Sequence, residues 1–281
     1  MSDSTIGAFL LPPGYRRPPA AAMLREGFLV GEAGRCAVHS ISERRARRSR
    51  PYAGATPARD ADPVLLVPGF LAGDYSLRVL SSTLRGAGLR TYRAHMTANV
   101  GCTLNAAAML EARLESIATK RGSRVQIVGH SLGGMLARGI AVRRPDLVSG
   151  IVTMGSPMMA PGAHHIALTA GAGALVGLSR AGIPGVMSEE CVSGGCARTS
   201  FEECRLPLPE GVGFTAIYSR RDGIVDWRAC IDPIARAVEV KASHIGMAVD
   251  PRVHAQVLSA LQRQQVAAVA SVLEVDRGVG A

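Results

Sequence analysis

The sequence has few aromatic residues and few lysines, and this shortage argues against a nucleic-acid-binding protein. Its 281 residues include one Trp, five Tyr and five Phe, and Lys120 and Lys241 are its only lysines, so arginine supplies almost all of the +10 formal charge. A site for single-stranded nucleic acid needs aromatic side chains among its basic residues, and only Tyr52 lies near the basic run Arg44–Arg50. We therefore predict no nucleic-acid partner. The run is expected to be solvated, with weak peripheral contact with an anionic membrane as the alternative.

A long hydrophobic run is also missing. The longest apolar stretch, Ile166–Val176, contains glycines and is shorter than the roughly 20 residues that a membrane-spanning helix needs. The N-terminal segment carries an acid and no basic residue ahead of its short apolar patch, which is not typical of a secretory signal. A cytoplasmic location is expected.

The six cysteines show no spacing typical of a zinc site. Four of them, Cys191, Cys196, Cys204 and Cys230, lie in the second half of the chain. We expect packed free thiols, with a Cys191–Cys196 disulfide or a metal site as alternatives, and we predict neither a cofactor nor a catalytic metal.

The chain divides near residue 60 into two parts of different character. Residues 1–60 are rich in Pro, Arg and small residues, and they predict an irregular basic N-terminal lead-in with one edge strand near Cys36–Ile41. Residues 61–281 alternate short apolar runs with segments of helical period, which predicts a mostly parallel α/β sheet flanked by helices. Residues 158–211 interrupt this alternation and predict a lid-like cap insertion before the penultimate strand.

The predicted strands and helices follow from the period of the apolar residues. Six short runs suit strands that are buried on both faces, and four longer segments have helical period. The strands are Val64–Val67, Leu89–Ala94, Val125–Val128, Ile151–Met154, Phe214–Tyr218 and Ala237–Val240. The helices are Ser76–Arg85, Leu104–Lys120, Leu132–Arg143 and Pro251–Val272.

A serine follows one of these strands in the pattern Gly129-His130-Ser131-Leu132-Gly133. A serine hydroxyl is a weak nucleophile, so it must stand on a tight strand-to-helix turn where a base can reach it. The two glycines leave room for the crowded backbone of such a turn. We therefore predict that Ser131 is a nucleophile.

An acid and a base occur at the ends of the last two strands. Asp222 lies in a loop just after the strand Phe214–Tyr218, with Asp226 as the less favoured alternative, and His244 follows the last strand. Their chain order, Ser, Asp and His, is the order expected when a nucleophile, an acid and a base are carried by this topology.

Two backbone N–H groups are available for an oxyanion hole. Phe70 follows a glycine turn at the end of the first strand, and Leu132 follows the nucleophile, so we predict their N–H groups as the donors. Apolar residues beside these motifs are predicted to line the substrate pocket: Leu71, Met158, Met159 and Ile245.

Together these motifs resemble those of lipase- and esterase-type α/β-hydrolases over residues 63–281. The resemblance rests on Val-Pro-Gly-Phe at 67–70, Gly-His-Ser-Leu-Gly-Gly at 129–134, Gly-Ser-Pro at 155–157, Asp-Gly-Ile-Val at 222–225 and Ser-His at 243–244. It implies a cofactor-free serine hydrolase of lipid metabolism acting on a small-molecule or lipid ester, with the residues above in the roles given. A thioesterase or an acyltransferase is the nearest alternative, and a non-catalytic binding protein is a more distant one. Many relatives have His-Gly where this chain has Pro68-Gly69, but the oxyanion donors are main-chain groups.

Overall fold

The computed structural model describes residues 6–49 and 61–278, and its centre is a six-stranded sheet in which every strand pair is parallel. The strand order is β2-β1-β3-β4-β5-β6. The strands are β1 (Val64–Val67), β2 (Thr91–Arg93), β3 (Val125–His130), β4 (Val148–Met154), β5 (Gly213–Tyr218) and β6 (Arg236–Glu239). All six predicted strands are therefore present, with shifted ends, and the predicted mostly parallel α/β sheet flanked by helices is confirmed.

Helices cover both faces of the sheet. Every residue of β1 is buried, and its side chains alternate: Val64 and Leu66 belong to one apolar cluster, Leu65 and Val67 to another. This alternation gives the sheet two hydrophobic faces, which explains why its strands are continuous apolar runs. The helices are α1 (Leu29–Ser49), α2 (Arg78–Gly86), α3 (Thr103–Arg121), α4 (Leu132–Arg143), α5 (Ile166–Arg180), α6 (Glu189–Val192), α7 (Gly195–Glu203) and α8 (Pro251–Gly278). Short 3-10 helices span Ala8–Leu10, Ala20–Phe28, Asp74–Leu77, Trp227–Cys230 and Ile245–Ala248.

The segment between β4 and β5 contains three helices, α5, α6 and α7, where a short crossover would suffice. It lies where the insertion was predicted, immediately before the penultimate strand. One small apolar cluster contains Ala172, Leu175 and Val176 of α5 with Cys191 and Val192 of α6. Phe201 of α7 belongs to a second cluster. A lid-like movement of this segment stays a prediction.

The N-terminal lead-in differs from the prediction. Instead of irregular chain with an edge strand at Cys36–Ile41, the structure has helix α1 over Leu29–Ser49, preceded by a 3-10 helix. The segment is rich in Ala, Arg and Glu, whose helix propensity outweighs a few β-branched residues. The run Arg44–Arg50 thus begins within α1, and Arg50 lies outside the described residues. None of the helices in the described part of the chain is both long enough and apolar enough to cross a lipid bilayer.

Candidate active site

Ser131 occupies the sharp turn between β3 and α4. Its backbone has φ +51° and ψ −122°, a left-handed conformation that is uncommon for a residue with a side chain. Its N–H donates to the carbonyl of Met154 at 2.8 Å, which ties the turn to the end of β4. A Cβ atom on Gly129 would overlap the backbone of Gly134, and one on Gly133 would overlap the carbonyl of Val67. The glycines therefore leave the room that the strained turn needs, as the pattern predicts.

His244 and Asp222 form a buried hydrogen-bonded pair. His244 Nδ1 lies 2.7 Å from Asp222 Oδ2, and both residues are at least 96% buried. The other carboxylate oxygen, Asp222 Oδ1, accepts the N–H groups of Ile224 and Val225 at 2.8 Å each. The N–H groups of Ile224 and Val225 thus hold the carboxylate, and the carboxylate holds the imidazole through Nδ1. The Nε2 atom of His244 is left for other chemistry.

The alternative acid, Asp226, serves another purpose. Its Oδ1 accepts the backbone N–H of Arg228 at 3.2 Å and its guanidinium at 2.9 Å, and its Oδ2 accepts the N–H of Arg16. It caps the 3-10 helix Trp227–Cys230 and anchors the N-terminal segment. The structure thus brings Asp222, and not Asp226, to His244.

A second histidine supports the first. The His130 ring lies 4.9 Å from the His244 ring, and its Nε2–H donates to the His244 carbonyl oxygen at 3.0 Å. Burial, and then the charge of His244, lower the pKa of His130 to about 4, so this ring stays neutral near pH 7. Burial would also lower the pKa of His244, but the Asp222 carboxylate and the nearby Glu26 raise it above its usual value.

Gly155, directly after β4, lies against the His244–Asp222 pair. A Cβ atom there would stand 3.1 Å from His244 Nδ1 and 3.3 Å from Asp222 Oδ2, and its φ is +58°. Both the space and the backbone conformation favour glycine at this position.

The predicted oxyanion donors flank the serine turn. A Cβ atom on Gly69 would lie 3.0 Å from the Ser131 Cβ, so the turn that precedes Phe70 approaches the nucleophile closely. Asn99 holds this turn, because its Nδ2 donates to Pro68 O at 3.0 Å. Within the described residues, neither the Phe70 N–H nor the Leu132 N–H is recorded as donating to another protein group. Both groups are therefore available to an oxygen at Ser131, and their role stays a prediction.

Ser131 opens into an apolar cavity of about 140 Å³. Its walls come from the turns at Phe70 and Leu132, from the helices of the insertion and from the N-terminal segment. The wall residues include Ile6, Leu10, Phe70, Leu132, Met135, Leu168, Ala172, Met187, Cys191, Val192 and Phe201.

The four predicted pocket residues do not line this cavity. Met158 is fully buried in the core, and the backbone N–H of Met159 bonds to Ala229 O at 3.0 Å. Leu71 and Ile245 are 48% and 45% exposed. These four residues are near the motifs along the chain, whereas much of the cavity wall comes from segments that are distant in sequence, and their contact with a substrate stays a prediction.

Two glutamates from the N-terminal segment hold the loops of the His244–Asp222 pair, and no local feature of the sequence predicts this role. Glu26 Oε1 accepts the N–H groups of His244 and Gly223 at 3.0 Å each, and its Oε2 accepts that of Ile245 at 3.0 Å. Glu32 is 1% exposed and accepts the N–H and hydroxyl of Ser243 at 2.8 and 2.6 Å. The lead-in is thus part of the framework of the site.

The structure also bears on the state of the cysteines. All six are free thiols, so the Cys191–Cys196 disulfide is absent. The buried Cys204 thiol donates to Met135 O at 3.2 Å, and Cys230 is buried elsewhere in the core. Cys191 and Cys196 instead group with Cys102.

Comparison with known proteins gave one family and a set of similar structures. The family model described as alpha/beta hydrolase fold matches residues 62–176. A Bacillus licheniformis lipase, BlEst2 in its mature form, superposes with a TM-score of 0.58 at 15% identity, covering 75% of this chain and 96% of that one. The metagenomic carboxyl esterase MGS0156 gives a TM-score of 0.56 at 17% identity, covering 77% and 78%. No curated protein sequence matched.

Proposed function

We propose that this chain, of which residues 62–176 match the alpha/beta hydrolase family model, hydrolyses carboxylic esters through an acyl-enzyme intermediate on Ser131. The observation that carries the proposal is a serine on a left-handed turn that lines an apolar cavity, in a site that also holds a buried His244–Asp222 pair. The similar structures described as a lipase and a carboxyl esterase support the same reaction class.

The proposed reaction has two acyl-transfer steps. Ser131 Oγ attacks the ester carbonyl carbon while His244 Nε2 takes the hydroxyl proton, and the Phe70 and Leu132 N–H groups stabilise the oxyanion. The intermediate collapses, and His244 returns the proton to the departing alcohol. Water then attacks the acyl-enzyme with His244 as the base, which releases the acid and regenerates the serine. Asp222 holds the imidazole in the required tautomer and stabilises its charged form.

The cavity limits the acyl group of the proposed substrate. Its walls are mainly apolar, which favours an aliphatic or aromatic acyl chain over a charged one. Its volume of about 140 Å³ is below the roughly 300–1,000 Å³ common for ligand sites, which favours a short chain in this arrangement of the insertion.

A fluorophosphonate probe and a series of p-nitrophenyl esters test the proposal on the purified full chain. Intact mass should show one adduct on the wild type and none on Ser131→Ala. Ser200→Ala is the matched control, because Ser200 lines the same cavity and should leave labelling intact. Ser131→Ala and His244→Ala should each lose several orders of magnitude in kcat, and the double variant should be little worse. An adduct that persists on Ser131→Ala would contradict the assignment, and faster turnover of palmitate than of butyrate would contradict the short-chain preference.

A further inference from the structure

Three cysteine thiols lie close together, although Cys102 is distant in the sequence from Cys191 and Cys196. Cys102 directly precedes α3, Cys191 lies in α6 and Cys196 lies in α7. Their three sulfur atoms all lie within 4.8 Å of one another. Cys191 is buried, whereas Cys102 and Cys196 are partly exposed, so the cluster is accessible from solvent.

A ligand bound to this cluster would connect two parts of the fold. Cys102 caps the N-terminus of α3, a helix that packs on the sheet, while the other two cysteines belong to the insertion. The described contacts between these parts include the backbone bond from Met187 N to Val100 O at 2.8 Å and the apolar packing around the cluster. A group that joined the three sulfurs would tie the insertion to the start of α3, beside the cavity that Cys191 and Met187 line.

The three thiols differ in how readily they ionise. Burial opposes ionisation of Cys102, but N–H groups of Asn105 and Leu104 at the start of α3, and the two neighbouring thiols, lower its pKa. Burial and the negative charge that Cys102 would carry raise the pKa of Cys196 to about 11. A metal ion that binds these sulfur atoms would displace their protons, because the thiolate and not the thiol is the ligand. The Glu190 carboxylate, which accepts Gly195 N–H at 2.7 Å, adds negative charge nearby.

We propose that Cys102, Cys191 and Cys196 bind one thiophilic d¹⁰ metal ion of the Zn²⁺ or Cu⁺ class. Three sulfur ligands at this spacing can surround an ion with metal–sulfur bonds of about 2.3 Å, and thiolates select these ions over Mg²⁺ or Ca²⁺. A disulfide would use only two of the three sulfurs and would require an oxidant. The ion has a structural role here, and the proposed ester hydrolysis does not use it.

Titration of the reduced, chelator-treated full chain tests this proposal, with Cd²⁺ as a spectroscopic probe and with Zn²⁺ and Cu⁺ in separate arms. We expect a thiolate-to-Cd²⁺ charge-transfer band that saturates at one ion per chain. We also expect one Zn²⁺ or one Cu⁺ to remain after gel filtration, and a higher Tm for the loaded protein. Cys102→Ser, Cys191→Ser and Cys196→Ser should each lose the band. Cys36→Ser, a partly exposed cysteine in α1, is the matched control and should keep it.

Three results would overturn the proposal. The first is that no ion is retained by the folded wild type. The second is a Cd²⁺ charge-transfer band that persists in each of the three single serine variants, when the circular dichroism of the variants matches that of the wild type. The third is a native mass two hydrogens lower than that of the reduced chain, with a disulfide mapped to two of these cysteines, because the cluster would then be a redox pair.

Discussion

The carboxylate of Glu26 joins the loop of the proposed acid to the loop of the proposed base, and we predict that its removal weakens catalysis. Glu26→Ala deletes the acceptor of three N–H groups, two of them from the His244 loop. A hydrogen bond to a charged group contributes about 1.5–3 kcal/mol, and water replaces part of this at a half-buried carboxylate. We therefore expect a loss of about 2–4 kcal/mol in the free energy of unfolding.

The same substitution should act on the rate through the position of His244. A shift of about 1 Å in a reacting group can cost about 100-fold, so kcat should fall about 10- to 100-fold. KM should change little, because Glu26 does not line the cavity. Steady-state kinetics with a p-nitrophenyl ester measures both constants, and urea unfolding measures the stability.

A pH profile separates positioning from a general loss of structure. Burial lowers the pKa of His244, but the charges of Asp222 and Glu26 outweigh it and raise this pKa. The base must be neutral, so kcat/KM rises with pH through this pKa. Loss of the Glu26 charge should shift this acid limb to lower pH in both Glu26→Ala and Glu26→Gln. The Gln variant keeps one acceptor oxygen and should recover part of kcat.

Glu210→Ala, which removes an exposed glutamate, is the matched control and should leave the rate and the pH profile unchanged. The reasoning is refuted when Glu26→Ala retains the wild-type kcat. It is also refuted when kcat falls but the acid limb of the Gln variant stays in place, since the carboxylate charge would then not act on the base.

Three further predictions concern the same site. Gly155→Val should abolish most activity in a folded protein, because its Cβ would lie 3.1 Å from the Nδ1 atom of the proposed base; Gly177→Val, where a Cβ meets open space, is the control in the same ester assay. Asp222→Asn should reduce kcat far more than Asp226→Asn, and equal losses would contradict the assignment of the acid. His130 has a folded-state pKa of about 4, below its unfolded value of 6.5, so the unfolded chain takes up its proton first. Stability should therefore fall by about 3 kcal/mol from this group as the pH drops from 6.5 to 4, and His130→Gln should remove that part of the pH dependence in urea titrations.

The four central strands, β1, β3, β4 and β5, were predictable because they are buried over most or all of their length. Val125–His130 and Val148–Met154 are buried at every position, and most of their residues are accordingly apolar or β-branched. The edge strand shows the limit of this signal: the run Leu89–Ala94 pairs only over Thr91–Arg93, because it has one neighbour in the sheet. The proposed nucleophile, acid and base could be found because they stand at strand ends, where topology alone brings them to one edge.

The cavity wall and the glutamates could not be found this way. Glu26 reaches partners 197, 218 and 219 residues away, and nothing in its own neighbourhood marks it. Helix α1 was missed for a different reason. A short β-branched stretch near Cys36 predicted a strand, but the helix-forming residues around it determine the structure. Contacts between distant segments therefore decide the role of Glu26, whereas local helix propensity decides helix α1, and hydrophobic periodicity reports neither.

The cavity wall depends on segments that are distant in sequence, and this limits how far similarity to known proteins can predict substrate selectivity. The matched family region, residues 62–176, contains Ser131 and both oxyanion turns but not His244, Glu26 or the second half of the insertion. Ile6 and Leu10 close the cavity from the N-terminal segment, and Phe201 closes it from α7. The proposed chemistry depends on residues at the strand ends, whereas the wall of the cavity also depends on segments outside the matched region. Substitutions at Leu10 and Phe201 should accordingly alter the preferred acyl length while leaving labelling of Ser131 intact.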